Sequence, residues 1–150
     1  MSSVEIGYET WLLIADGEKA LFLKNLGDQE LPNFEIQRVE EQDNPSDAEQ
    51  SANRPGRAGD GGASNPHRSA FEDTDWHKLA KERFAAELAD ILYKMAIKHR
   101  FEKIVLVASP STLGELREHL HKEVEHRIVG EIAKDLTNHP LGKIEDILTN

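Results

Sequence analysis

Apolar residues fall in short unbroken runs toward both ends of the chain and are nearly absent between them. Trp11-Leu12-Leu13-Ile14-Ala15 is continuous, the pattern of a strand covered on both faces. Asp16-Gly17 follows, a pair suited to the positive φ angles of a tight turn. Lys19 to Leu23 then predicts a return strand, and Asn25 to Asp28 a second turn. Over Asn33 to Val39, Phe34, Ile36 and Arg38 alternate with polar neighbours, which predicts a third, half-buried strand.

From about residue 40 to 73 the pattern stops. Pro45, Pro55 and Pro66 are set among glycines and polar residues, and Phe71 is the only large apolar side chain. Such a stretch buries too little apolar surface to offset the entropy of ordering, so it predicts a long polar loop, either functional or disordered. Asp73-Thr74-Asp75 offers an N-cap and negative charge for a helix running to about His99. Along it Trp76, Leu79, Ala80, Phe84, Leu88, Ile91, Leu92 and Met95 recur at helical spacing. Lys103 to Ala108 predicts a central parallel strand, and Ser109-Pro110 the cap and first turn of a helix carrying Leu113, Leu116 and Leu120. Ile128 to Ile132 reads as a last strand and Leu141 to Leu148 as a closing helix. The predicted order is β-β-β, loop, α-β-α-β-α. This is an α/β fold: one domain over 1–150, with a mixed sheet of about five strands flanked by helices.

Composition narrows the function. With 150 residues and no cysteine, the chain has neither a disulfide framework nor a thiolate metal site. It shows no basic-then-apolar leader and no apolar run near the roughly 20 residues that span a bilayer, so a cytoplasmic protein with no membrane contact is expected. A net charge of −10 argues against indiscriminate nucleic-acid binding. The first 50 residues hold 12 acidic and 3 basic side chains, however, while the remainder is nearly balanced. An acidic first third is compatible with a local anion site later in the chain.

Several residues invite chemistry. Arg54, Arg57, His67 and Arg68 lie close in sequence on the loop, with Asp60 the only acid between Ala52 and Ala70. Guanidinium forks match phosphate geometry, so the group suits an anion or RNA backbone; solvated or acid-paired arginines are the plainer account. Ser109 opens a helix at the end of a strand, a natural anion position as well as an ordinary cap. Gly-x-Ser-x-Gly, the setting of a nucleophilic serine, is absent. Lys134, Asp135 and Thr137 lie in a compact polar turn, where Asp135 and Thr137 either shape that turn or line a pocket with Asp16. Asp16 on the first strand also invites comparison with two-metal nucleases, which need further carboxylates to converge with it. His119, His121 and His126 are not spaced to share one helix face and read as surface residues. No catalytic residue, metal or cofactor is assigned.

Trp11 to Ala20, Asn53-Arg-Pro-Gly-Arg57, Pro66-His-Arg68, Glu82 to Leu88, Val105 to Pro110, Leu113 to Arg117 and Glu131 to Thr137 together resemble the short bacterial proteins labelled host attachment proteins. That family is in turn distantly similar to the middle domain of archaeal and eukaryotic peptide-chain release factors. The resemblance implies a ribonuclease H-like fold and a role at the ribosome, such as rescue of stalled complexes. Release factors carry a Gly-Gly-Gln loop; here the long loop has Gly61-Gly62-Ala63, without the glutamine. The expectation is therefore a non-enzymatic binding protein contacting ribosome or tRNA and affecting host attachment indirectly. Two alternatives are a metal-dependent nuclease, and an adhesion or interaction protein with a protein partner and no anion site.

Overall fold

The computed structural model describes residues 4–42 and 66–149, with side chains of the second stretch described from His77 onward. Five strands form one mixed sheet: β1 (Trp11–Ala15), β2 (Lys19–Asn25), β3 (Phe34–Glu41), β4 (Ile104–Ala108) and β5 (Ile128–Ala133). Their order is β3-β2-β1-β4-β5. β1 pairs antiparallel with β2 and parallel with β4, which pairs parallel with β5. The helices are α1 (Pro66–Ile97), α2 (Pro110–His119), the single turn α3 (Lys122–Glu125) and α4 (Leu141–Thr149).

The unbroken apolar runs have the predicted cause. All five residues of β1 and of β4 are buried, and alternate side chains feed two separate cores. Leu13, Phe22, Ile104 and Leu106 pack with Phe84, Leu88 and Leu92 of α1 and Leu113 and Leu116 of α2. Leu12, Ile14, Val105 and Val107 face the other way, onto Ile6, Leu136 and Ile144 of α4. Helices thus cover both faces, as a parallel pair of strands requires.

Three expectations are corrected. α1 starts at Pro66, not near Asp73, so the polar stretch is shorter than 40–73 and β3 reaches Glu41. Proline has the fixed φ of a first helical residue, and no breaker follows it. β3 is not half-buried: beyond Phe34, which is 2% exposed, Ile36 and Val39 are 45% and 47% exposed. β3 is an edge strand, and only its first residue reaches the α4 layer, where the Phe34 N–H donates to Glu145 Oε2 at 2.7 Å. Gly17, finally, has no positive φ. The β1–β2 turn is closed by Asp16, whose Oδ1 accepts from the N–H groups of Glu18 and Lys19, both at 2.7 Å. Glycine there lets Lys81 approach closely, because a Cβ would stand 2.8 Å from its Cγ and the lysine side chain would have to shift.

Asn25, fully buried at the end of β2, ties together the edge of the fold. Its Nδ2 lies within hydrogen-bonding reach of the carbonyls of Ile6, Gly7 and Asp28 at 2.9, 3.1 and 3.2 Å. Its Oδ1 accepts from Gly27 and Asn33 N–H groups, both at 2.9 Å. Asn25→Ala removes two donor protons and an acceptor oxygen from a buried network of five backbone groups, of which the Gly7 carbonyl keeps the Thr10 N–H. It is expected to cost at least about 3 kcal/mol, read as a lower urea midpoint with unchanged m-value.

At the far end of α1, His99 takes φ 58°. Its N–H donates to the Ala96 carbonyl and that of Arg100 to Met95, both at 2.9 Å, the pairing that ends a helix in a left-handed residue. Glycine is the usual occupant of that position. His99→Gly should therefore raise stability by about 1 kcal/mol, seen as a higher melting temperature.

Candidate functional site

An open crevice of about 410 Å³ lies at the carboxyl ends of β1 and β4. Its floor is Asp16 and Gly17; one wall is His77, Lys78 and Lys81 of α1, and the other is Ser111, Thr112 and Glu115 of α2. Each element arrives there for a local reason. β1 ends at Asp16 because the carboxylate folds the chain back. α2 begins beside it because the Ser109 Oγ accepts from the Thr112 N–H at 3.3 Å, and Pro110 supplies the first helical φ. The first turn of α2, with its partial positive charge, therefore borders the same space as His77, Lys78 and Lys81. The cationic residues and the helix start favour an anion there, while the carboxylates of Asp16 and Glu115 oppose one.

Behind the crevice floor the structure brings together Asp16, Asp135 and Thr137, three of the residues singled out in the sequence. Thr137 is 2% exposed, and its hydroxyl donates to Asp16 Oδ2 at 2.6 Å. The same hydroxyl oxygen lies 3.1 Å from Asp135 Oδ1. A hydroxyl has one proton, and the shorter contact takes it. Asp16 therefore uses both carboxylate oxygens structurally, one for the turn and one for Thr137. Asp135 and Lys134 are exposed and stand outside the crevice lining.

The remaining sequence candidates fall elsewhere. Arg54 and Arg57 lie outside the described residues, and His67 and Arg68 lie on the first turn of α1, where side chains are not described. Ser109 is a true cap, with its hydroxyl also 3.1 Å from Thr112 Oγ1. Among the described residues, one group of three potential metal ligands comes close together: Glu115, Glu118 and His119 on α2. It includes neither Asp16 nor Asp135. His121 stacks on Tyr93 with ring centroids 4.1 Å apart, and His126 is exposed.

His77, Lys78 and Lys81 were not singled out in the sequence. The usable signal is their place on α1, since His77 and Lys81 are one helical turn apart, on a helix whose other residues Phe84, Leu88 and Leu92 are buried. Only the approach of Lys81 to Gly17 turns that polar stripe into a wall.

Among the described residues, no helix is long and apolar enough to cross a membrane. The family model for bacterial archaeo-eukaryotic release factor family 12 matches residues 9–148. No curated protein matches the chain.

Thr137→Val keeps the shape of the side chain and removes the hydroxyl, leaving Asp16 Oδ2 without its closest donor. It is expected to cost about 1.5–3 kcal/mol, and Thr137→Ser to restore most of that, both read from urea unfolding.

Proposed function

The chain belongs to bacterial archaeo-eukaryotic release factor family 12, and from that premise we propose that it is a binding protein of translation, contacting ribosomal RNA or tRNA without catalysing a reaction of its own. The observation that carries this reading is the crevice, where Lys78, Lys81, His77 and the first turn of α2 face one space. A phosphate there would accept from ammonium groups and stand at a helix N-terminus, an arrangement that favours negative charge. Arg54, Arg57, His67 and Arg68 would extend the contact along the nucleic-acid backbone, with Ser109 shaping the helix start and Lys134 adding charge nearby.

The sheet order, with an antiparallel hairpin leading into parallel strands, supports a ribonuclease H-like ancestry. Gly61-Gly62-Ala63 lacks the glutamine of the release-factor loop, which favours binding over hydrolysis. Engagement of both Asp16 oxygens in structural hydrogen bonds points the same way, away from a metal-dependent nuclease. In this reading the protein works in the cytoplasm as a single domain. Any influence on attachment to host cells follows from altered protein synthesis.

Sucrose-gradient sedimentation of lysate tests it. Tagged wild-type protein is expected to travel with ribosomal particles at low salt, and Lys78→Ala/Lys81→Ala and Arg54→Ala/Arg57→Ala/Arg68→Ala variants to remain near the top. Wild-type protein remaining at the top, in a lysate whose ribosomes sediment normally, would overturn the reading.

A further inference from the structure

The opposite end of the sheet has a chemistry of its own. Where β1 and β4 begin and α1 ends, a concavity of about 390 Å³ is lined by Lys24, His99, Arg100 and Lys103, with Tyr8 and the buried Trp11. A second one, of about 290 Å³, adjoins it through Trp11 and Arg100 and adds Arg38, Lys94 and Lys98. Six permanent cations thus line two neighbouring hollows on a chain of net charge −10. The acids in the lining are Glu9 and Glu102. Glu9 stands 3.9 Å from Lys24, Lys94 pairs with Asp90 at 3.0 Å, and Arg38 pairs with Glu40. All these pairs are solvent-exposed to a degree that leaves them weak.

Two further features mark this end. Among the described residues, the only non-glycine residues with positive φ are Glu9 (64°) and His99 (58°), and both line the first hollow. Each sits where glycine would relieve the backbone. Tyr8, in the turn closed by the Thr10 N–H on the Gly7 carbonyl, is 66% exposed on the rim. An exposed ring beside a cationic track is the pairing by which single-stranded nucleic acid is held, bases stacking while phosphates follow the charge.

We infer that the amino end of the sheet is a second nucleic-acid face, taking single-stranded RNA with its phosphates along Lys98, Arg100 and Lys103 and a base stacked on Tyr8. It is separate from the crevice at Asp16: Lys81 and Lys98 are 17 residues apart on or just beyond α1, about 25 Å along its axis. It does not rest on the translation reading, because bare RNA suffices to occupy it.

Fluorescence anisotropy with a labelled twelve-nucleotide oligouridine tests the inference, using the full chain at several salt concentrations. Lys98→Ala/Arg100→Ala is expected to weaken binding at least tenfold and to flatten the salt dependence by between one and two units of slope. Lys122→Ala/Lys143→Ala, which removes the same charge from exposed positions elsewhere, should change affinity less than twofold. Tyr8→Ala should lose about tenfold with the salt slope unchanged, and Tyr8→Phe should restore it. Melting temperatures within a few degrees of wild type establish that each variant is folded. The inference is overturned if wild-type protein does not bind, or if the two double variants lose affinity equally. It is also overturned if vesicles containing phosphatidylserine capture the protein while oligouridine does not, which would assign the patch to a lipid surface.

Discussion

The parallel pairing of β1 with β4 sets most of what surrounds it. Leu12, Leu13, Ile14, Val105, Leu106 and Val107 are each no more than 1% exposed, so both faces of the sheet centre are closed to solvent. A parallel pair cannot be joined by a tight turn; the chain must travel back the length of the sheet before β4 can begin. α1 makes that return. Its middle turns, from His77 to Lys81, border the carboxyl end of β1, and its last turn leads to the amino end, where Trp11 and His99 line one hollow. With both faces occupied by packed helices, accessible concave surface is left at the strand ends.

The two ends differ in how they are built. At the carboxyl end the geometry is tied by side chains far apart in sequence: Thr137 reaches Asp16, and the backbone at Gly17 makes room for Lys81. Gln42, just beyond β3, adds a bond from Nε2 to the Ala80 carbonyl at 2.7 Å, fastening the edge hairpin to α1. At the amino end the Asn25 side chain gathers the carbonyls of Ile6 and Gly7, and the backbone bonds of the helix stop place His99 and Arg100. Held that way, the cationic side chains there owe little to packing. They can be exchanged without disturbing the core, which is what makes their chemistry testable apart from the fold.

The fold was legible in the sequence where burial is simple. β1 and β4 announce themselves because burial on both faces leaves no polar position in either run. β3 misleads because Phe34 and Ile36 alternate like a covered strand, yet the layer above the sheet reaches only Phe34, and nothing in the local pattern shows where a distant helix stops. The start of α1 is hidden in the sequence because Asp73-Thr74-Asp75 imitates a cap; a helix already begun at Pro66 tolerates those residues in its interior. α3 is a single turn, too short to show a period. Asp16, Asp135 and Thr137 were recognisable as polar residues at turns, but their meeting depends on contacts spanning 121 positions. The lysines of the crevice were hidden for the opposite reason, since a polar stripe on an amphipathic helix reads as ordinary surface.

Charge placement joins these pieces into one physical picture. A body of net charge −10 repels polyanions at a distance, while cations grouped in a hollow dominate within the screening length, about 8 Å at physiological salt. Contact then requires that a phosphate be brought to the patch itself, which penalises casual binding along the rest of the surface. The acids of the first third share the sheet with the patch; Glu35 and Glu41 are exposed on the β3 edge, beside Arg38, which belongs to the basic track. A strand of RNA laid along Arg100 and Lys103 would be turned away from that edge by the same side chains that make it acidic. Attraction at the hollow and repulsion from the acidic side chains near it would together confine a bound strand, which a uniformly basic surface would not do.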